Sequence, residues 1–256
     1  MAKIITVASR KGGTGKTSTC TALGYAFSEQ EFDVLLIDCD SQRNLTRSLQ
    51  LQKEKKHTIN DVFLTDTDIK KAITETKLNR IDLVMSEQLL NDLDYNLAQS
   101  DIEDKKKILK QKLQSVEGKY DFILIDTPPS FNFATYNAII AADKVLILGK
   151  AGVFDWYAIN ELYELINNLA DNHNLEIDID IMATQLDMRA NLSSEFIEDL
   201  KTVYPNEYLN IYINLNIAIA NAQMEELPVQ LYSPQAKSSK QYNKLAQKYI
   251  DEMIFE

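Results

Sequence analysis

The chain is poor in residues that break or cross-link structure. Its 256 residues include 7 glycines, 5 prolines, 2 cysteines and 2 histidines. Because no Gly/Ser-rich or Pro-rich linker interrupts the sequence, we expect residues 1–256 to form a single domain. Cys20 and Cys39 are too few for a disulfide framework. No secretion signal and no apolar run of about 18 residues is found, so we expect a cytoplasmic protein without membrane contact.

Positive charge is scarce outside the first quarter of the chain. Lys and Arg number 27 against 38 Asp and Glu, which gives a formal net charge of -11. A dedicated nucleic-acid binder is usually strongly basic, so the overall charge opposes that class. Residues 1–60 nevertheless carry a net charge of +3, and the remainder carries -14. An anionic ligand is therefore favoured at the N-terminal quarter.

Short apolar runs alternate with longer helical patterns. The runs predict buried β-strands at Ile4–Ala8, Val34–Asp38, Ile81–Met85, Phe122–Asp126, Val145–Leu148, Ile177–Ala183 and Leu209–Ile213. The helical patterns cover Lys16–Ser28, Asp101–Val116, Trp156–Leu169, Ser193–Val203 and Pro234–Ile254. This alternation predicts an α/β fold with a mostly parallel, twisted sheet of about seven to eight strands and helices on both faces. Ligands of such sheets bind at the carboxyl ends of the strands.

The loop after the first predicted strand carries three of the seven glycines. It reads Lys-Gly-Gly-Thr-Gly-Lys-Thr from Lys11 to Thr17, and a predicted helix follows. Glycines let backbone N–H groups surround an anion, and the helix N-terminus adds a positive dipole end. This predicts a P-loop NTPase in which Lys16 contacts the β- and γ-phosphates and Thr17 offers its hydroxyl to Mg²⁺. The predicted ATP-binding residues are Gly12, Gly13, Thr14, Gly15, Lys16, Thr17 and Ser18.

Carboxylates follow two of the predicted strands. Asp38 and Asp40 come at the end of the second strand, and Asp126 ends the strand Phe122–Asp126. A carboxylate after an apolar strand, beside a phosphate loop, is typical of a Walker B aspartate that holds Mg²⁺ directly or through water. The alternative is a helix-capping or turn aspartate. Asp126 is therefore the predicted metal ligand.

These motifs together resemble those of the ParA/Soj–MinD class of ATPases. The loop matches the deviant Walker A motif of that class, in which Arg10 stands at the usual first glycine and Lys11 is the signature lysine. The stretches Asp38–Thr46 and Ile125–Ser130 resemble the class motifs D-x-D-P-Q-x-N-x-T and I-D-T-P-P-S, with Ser41 in place of the proline.

The resemblance implies a set of residue roles and partners. Lys11 would contact the partner's nucleotide across an ATP-sandwiched homodimer, so that Lys11, Lys16 and Asp40 form the catalytic set. Asp40 would orient the attacking water and touch the metal through water, and Asp38 would lie near the metal. Family members of this type segregate plasmid or chromosomal DNA. Their dimers bind DNA non-specifically on the nucleoid, and a centromere-binding, ParB-like protein stimulates their slow ATP hydrolysis.

DNA binding by this chain rests on different residues from those of the family. The segment Ile213–Ala222 resembles a family segment with two DNA-contacting arginines, and both are absent. Near the C-terminus, Lys237, Lys240, Lys244 and Lys248 step by 3, 4 and 4 residues, which places them on one helix face opposite Tyr242, Leu245 and Tyr249. Such a stripe either contacts DNA phosphates or is a solvated face balanced by Asp251 and Glu252.

A second basic run lies in the middle of the chain. Lys105, Lys106 and Lys107, with Lys110 and Lys112, follow Asp101, Glu103 and Asp104, so i,i+4 ion pairing on an exposed helix is favoured over DNA contact.

The sequence leaves three functions open besides DNA partition. The first is an ATPase of the same class that positions a protein complex, which the acidic charge and the missing arginines favour. The second is a nucleotide-dependent regulatory protein with negligible turnover, which Asp40 opposes. A small-molecule amidoligase on the same fold would leave Lys11 without a role. The acidic C-terminus opposes a membrane-binding helix.

Overall fold

Eight strands form one sheet in the computed structural model. The structure describes residues 1–52, 56–100 and 104–255, and for residue 255 it describes the backbone only. The strands are β1 Lys3–Ala8, β2 Val34–Asp38, β3 Ile73–Glu75, β4 Ile81–Val84, β5 Phe122–Asp126, β6 Lys144–Gly149, β7 Asp178–Leu186 and β8 Tyr208–Asn214. Their order across the sheet is β3-β4-β2-β5-β1-β6-β7-β8. Every pairing is parallel except that of β3 with β4.

The parallel pairing gathers the strand ends that carry the predicted motifs. β5 lies between β2 and β1, with Asp126 in register with Asp38 on one side and with Val7 on the other. The loop that follows β1 therefore lies beside both carboxylates.

Eleven α-helices and three 3₁₀ turns lie between the strands or, for α9 to α11, after the last strand in the described ranges. The α-helices are α1 Lys16–Ser28, α2 Asn44–Arg47, α3 Ile59–Leu64, α4 Leu93–Gln99, α5 Ile108–Leu113, α6 Phe133–Ala141, α7 Val153–His173, α8 Asn191–Val203, α9 Ile217–Met224, α10 Val229–Tyr232 and α11 Lys237–Phe255. The 3₁₀ turns are Ile69–Lys71, Gln88–Asp92 and Lys105–Lys107.

Both faces of the sheet are buried. Along β2, Leu36 packs with α1 and α11 on one face, whereas Leu35 and Ile37 pack with the helices between β2 and β6 on the other. All three side chains are 0% exposed, which explains why β2 reads as a continuous apolar run. The fold class predicted from the sequence, an α/β sheet of seven to eight strands, is confirmed. In the part of the chain that the structure describes, no helix has the length and apolar character to cross a membrane.

Some predicted elements differ from the observed ones. The helix predicted at Asp101–Val116 is a 3₁₀ turn followed by the six-residue α5, and residues 101–103 lie outside the described ranges. The edge strand β3 has three residues, too few for a recognisable alternation. Helix α6 was missed because seven of its nine residues are buried, so it has no polar face and no helical periodicity.

Candidate active site

The glycine-rich loop joins the end of β1 to the start of α1. Gly13 and Gly15 have φ of +69° and +90°, a left-handed conformation that suits glycine. A Cβ at Gly12 or Gly13 would meet nothing within 4 Å, so the loop is open on that side. Helix α1 begins at Lys16 without a side-chain cap, which leaves its first N–H groups to an outside acceptor. The loop and the helix start together form an anion site.

Two residues at the end of β7 support this loop from the outside. The Thr184 hydroxyl donates to the Thr14 carbonyl at 2.8 Å, and Gln185 Nε2 donates to the Gly13 carbonyl at 2.6 Å. These bonds hold the loop carbonyls, which would repel a phosphate, in contact with protein donors. Neither Thr184 nor Gln185 has a role predicted from the sequence. Their place at the carboxyl end of a parallel strand was the signal that pointed to them.

Lys16 reaches across the inside of the loop. Its side chain is 7% exposed, and its Nζ donates to the Lys11 carbonyl at 3.3 Å. Burial lowers the pKa of this ammonium group, and the charges of Asp126 and Asp40 oppose that shift. The lysine that the sequence assigns to the phosphates is therefore positioned at the anion site.

Asp126 lies next to Thr17 at the base of the loop. The Thr17 hydroxyl donates to Asp126 Oδ2 at 2.6 Å, whereas Oδ1 is buried and has no hydrogen-bond partner among the described residues. Burial, followed by the charge of Asp38, raises the pKa of Asp126 to about 8. A carboxylate oxygen that is buried without a donor is destabilised unless a cation or proton meets it. Thr17 and Asp126 thus fit the oxygen ligands that Mg²⁺ prefers.

Asp38 and Asp40 have different surroundings. Asp38 is 0% exposed; its Oδ1 accepts from the Asp40 N–H at 3.0 Å, and its Oδ2 accepts from the N–H and hydroxyl of Thr46 at 2.8 and 2.7 Å. Its two oxygens thus fix the loop that carries Asp40. Burial raises the pKa of Asp38 to about 6. Asp40 lines the cavity beside the loop, and its Oδ1 accepts from the Gln42 N–H at 2.9 Å.

Lys11 points away from the anion site, towards the start of α7. Its Nζ lies 2.7 Å from Asp155 Oδ2 and 5.3 Å from the centre of the Phe154 ring. The other oxygen of Asp155 accepts from the Lys150 N–H at 3.1 Å. Asp155 is not among the residues predicted from the sequence, although an acidic residue in the first turn of a helix at the strand ends is a recognisable feature.

A cavity of about 630 Å³ adjoins the loop, and its size suits a small-molecule ligand. One wall is the phosphate loop with Asp40, and the other is formed by residues that include Leu215, Asn216, Gln223 and Tyr242. Within the described ranges, no group of three His, Cys, Asp or Glu side chains could hold a metal ion by itself. A cation at Thr17 and Asp126 would therefore need further oxygens from a phosphate ligand or water.

The predicted lysine stripe lies on α11. Lys237, Lys240 and Lys244 are exposed, and Tyr242 and Leu245 on the opposite face are buried. Lys248 is half-buried and forms an ion pair with Glu252, so the balanced-face interpretation applies to this lysine.

The second basic run pairs with acidic residues by a different spacing from the predicted one. Lys107 pairs with Asp104 at i,i+3, over 3.1 Å, and Lys112 pairs with Asp66 at 3.2 Å. The other predicted acidic residues, Asp101 and Glu103, lie outside the described ranges.

Proteins of known families are similar to this chain in sequence. A family model described as an AAA domain matches residues 2–179. The sporulation initiation inhibitor protein Soj of Bacillus subtilis is 31% identical over 251 residues, which cover 96% of this chain and 97% of Soj. The chain belongs to the ParA/Soj family of P-loop ATPases. The chromosome partitioning protein ParA of Caulobacter vibrioides is 29% identical over 97% of this chain and 94% of its own length. The cell division protein PomZ of Myxococcus xanthus is 31% identical over 90% of this chain and 72% of its own length.

Solved structures share the fold of this ParA/Soj family member. Cobyrinic acid a,c-diamide synthase from Mycobacterium smegmatis, with a bound ATP analogue and magnesium, superposes with a TM-score of 0.83 at 23% identity, over 98% of this chain and 95% of the synthase. The septum site-determining protein MinD of Pyrococcus horikoshii, in complex with Mg-ADP, has a TM-score of 0.78 at 23% identity, over 97% and 96% of the two chains.

Proposed function

We propose that this ParA/Soj family member is a slow, Mg²⁺-dependent ATP hydrolase that dimerises around ATP and segregates plasmid or chromosomal DNA. The observation that carries the proposal is the Oδ1 of Asp126 beside Thr17, which is buried without a hydrogen-bond partner among the residues that the structure describes. It lies at the base of a loop with Lys16 inside it. A cation and a polyphosphate together would satisfy all of these groups.

The chemistry follows from the positions of the side chains. The N–H groups of Gly12–Ser18 surround the phosphates, and Lys16 contacts the β- and γ-phosphates. Thr17 and Asp126 would hold Mg²⁺, and Asp40 would contact it through water; the ion would supply positive charge that neutralises the charge developing on the phosphates. Asp40 orients the attacking water, and Asp38, with both oxygens engaged, positions Asp40. Catalysis is therefore positioning and charge stabilisation.

Dimerisation completes this site with Lys11 from the second subunit. The ion pair with Asp155 holds Lys11 near the surface, next to exposed apolar side chains at the start of α7. Val153, Phe154 and Tyr157 are 66%, 77% and 59% exposed. An exposed apolar patch of this kind supports an interface at the nucleotide edge of the sheet. A partner's nucleotide across that interface would compete with Asp155 for the Lys11 ammonium group.

Non-specific double-stranded DNA is the proposed binding partner of the dimer. Lys237, Lys240 and Lys244 form no ion pair within the described ranges, so they remain able to contact phosphates. Two stripes in one dimer would bind DNA more tightly than one. A centromere-binding, ParB-like protein would stimulate hydrolysis and release, and the protein would then be associated with the nucleoid in the cytoplasm.

The test is ATP-dependent binding to a non-specific DNA duplex at low and moderate salt. We expect the Asp40→Ala variant, which holds ATP, to bind the DNA duplex only when ATP is present, and we expect this binding to weaken as the salt concentration rises. The Lys11→Ala variant should not bind the duplex with or without ATP. A triple Lys237→Gln, Lys240→Gln, Lys244→Gln variant should lose binding, and Lys248→Gln should not. If the ATP-bound dimer ignores DNA at low salt, the DNA-partition proposal fails.

A second candidate function is the positioning of a protein complex by the same ATPase cycle. The observation that favours it is the segment Ile213–Ala222, which is apolar where the family carries arginines. The cell division protein name of the PomZ relative also supports it. A regulatory protein with negligible turnover is the third candidate, and it predicts that Asp40→Ala leaves the lifetime of bound ATP unchanged.

A further inference from the structure

A second cavity lies between α1 and α11. Its volume is about 420 Å³, which is within the range of small-molecule sites. The polar side chains that line it come from three helices: Tyr25 and Glu29 at the end of α1, Gln230 on α10, and Asn243 and Gln247 on α11. None of these residues lines the nucleotide cavity. Glu29 directly follows the last residue of α1, about 20 Å along the helix axis from Lys16, so this α1–α11 cavity is a separate feature.

Gln230 is the most deeply buried of these polar side chains, with 5% of its surface exposed. Its Nε2 donates to the Ala22 carbonyl at 2.8 Å and to Asn243 Oδ1 at 3.2 Å, so both amide hydrogens are used within the protein. Its Oε1 is buried and has no hydrogen-bond partner among the described residues. Because a buried acceptor without a donor is destabilised, this oxygen is the part of the Gln230 amide that remains for a ligand.

Two other acceptors lie at the same cavity. Gln247 Nε2 donates to Asp251 Oδ1 at 2.8 Å, and the Gln247 carbonyl oxygen has no partner among the described residues. Glu29 is exposed and forms no ion pair with a described residue. No lysine or arginine is found among the described residues that line the cavity. The α1–α11 cavity therefore offers two amide oxygens and one uncompensated negative charge.

A guanidinium group suits this set of acceptors. It carries one positive charge, presents five N–H donors in a plane and is more weakly hydrated than an ammonium group, so it readily exchanges water for protein oxygens. It also packs on aromatic rings, and Tyr25 lines the cavity beside Glu29. Burial, followed by the charge of Glu29, raises the pKa of Tyr25, in agreement with the proximity of the two side chains.

The lining of the cavity favours a small molecule over a protein. None of the described lining residues is a large apolar side chain that is exposed, whereas such side chains mark protein interfaces. We propose that the α1–α11 cavity binds a small organic cation with a guanidinium group, which contacts the carbonyl oxygens of Gln230 and Gln247 and the carboxylate of Glu29. The proposal is independent of ATP hydrolysis, because the two cavities share no lining residue.

The experiment uses the full chain without nucleotide and two matched fragments. Butylguanidine carries the cation, and butylurea replaces it with a neutral group of the same shape. A ligand-observed NMR titration at moderate salt gives the dissociation constant of each fragment, since salt screens attraction to exposed charges outside the cavity. We expect butylguanidine to bind roughly tenfold more tightly than butylurea, because only the cation forms charge-assisted hydrogen bonds with Glu29.

Three variants locate the binding. Glu29→Gln should weaken butylguanidine binding roughly tenfold, and Gln247→Leu should weaken it roughly fivefold. Both positions are exposed, so these variants are expected to keep the fold and to test the proposal by themselves. Gln230→Leu should abolish binding, with thermal unfolding as the check of its fold. The matched control is Glu225→Gln, which removes an exposed carboxylate outside the cavity and should leave binding unchanged.

Several results would overturn the proposal. Equal affinity for butylguanidine and butylurea would mean that the cavity does not recognise the charge. An unchanged affinity in Glu29→Gln, or an equal loss in Glu225→Gln, would mean that the cation is attracted only by the net charge of -11. The tripeptide Gly-Arg-Gly presents the same group as a protein side chain. If it binds more tightly than butylguanidine and depends on Glu29, the cavity takes an arginine of a protein and the small-molecule assignment is wrong.

Discussion

Removal of the Asp155 charge should favour the ATP-bound dimer. In the proposed dimer, the Lys11–Asp155 ion pair must open before Lys11 can reach a second subunit. The Asp155 side chain is 9% exposed against 34% for Lys11. A hydrogen bond between charged groups contributes about 1.5–3 kcal/mol, and partial exposure reduces this to about 1 kcal/mol. Two such pairs open in a symmetric dimer, so they oppose dimerisation by about 2 kcal/mol, roughly a thirtyfold effect on the dissociation constant.

The perturbation is Asp155→Asn in the Asp40→Ala background. Asparagine keeps an acceptor for the Lys150 N–H and removes the charge that holds Lys11. Sedimentation velocity with ATP should show a dimer dissociation constant about thirtyfold lower, with no change when ATP is omitted.

The matched control is Glu161→Gln, which removes another acidic charge from α7, one that pairs with Arg10 and not with Lys11. It should leave the ATP-dependent dimer unchanged. If Asp155→Asn weakens the dimer, or if Glu161→Gln tightens it equally, Asp155 does not restrain Lys11 and the reasoning is refuted.

Three other predictions follow from single side chains. Lys16→Ala should abolish ATP binding in calorimetry, because the cation inside the loop is lost. The pKa of Asp126 is raised to about 8 in the folded protein, against about 4 in the unfolded chain. The contribution of this carboxyl group to folding stability is therefore fully present below about pH 4 and is lost as the pH rises through about 8. Asp126→Asn should therefore raise the melting temperature of the nucleotide-free protein at pH 8.5 and not at pH 4.5. Gly149→Ala places a Cβ 2.5 Å from Ile159 Cδ1 and should lower the free energy of unfolding by about 1–3 kcal/mol.

Each of these predictions has a clear contrary result. Retention of ATP affinity by Lys16→Ala would remove that lysine from the phosphate site. An equal change of melting temperature at both pH values would mean that the Asp126 effect is not ionisation. Gly118→Ala is the control for Gly149, since a Cβ at Gly118 meets nothing within 4 Å; equal loss of stability in urea unfolding would contradict the steric argument.

Local patterns predicted the parts of the site that are local in sequence. The phosphate loop and Asp126 were found because a glycine-rich turn and a carboxylate after an apolar strand are each contained in a few residues. The Lys11–Asp155 pair joins residues 144 positions apart, and no periodicity connects them. The support of Gly13 and Thr14 by residues at the end of β7 likewise depends on how β7 is placed in the sheet.

Some roles depended on the conformation of loops rather than on residue type. Asp38 was expected near the metal, and the structure places it in register beside Asp126. Its oxygens, however, accept from Thr46 and from the Asp40 backbone, which no residue pattern indicates. Similarly, the four-lysine stripe was visible as a spacing, but the ion pair of Lys248 with Glu252 required the helix register.

The two walls of the nucleotide cavity come from different parts of the chain. The phosphate loop and Asp40 lie within residues 2–179, which the family model matches, whereas Thr184, Leu215 and Tyr242 lie beyond it. The later segment also carries α11, whose lysines are proposed to contact DNA. A chimaera that exchanges this segment with that of a relative would therefore replace one wall of the cavity together with the proposed DNA surface. Contacts to the nucleotide and the proposed contacts to DNA would change together in such a chimaera.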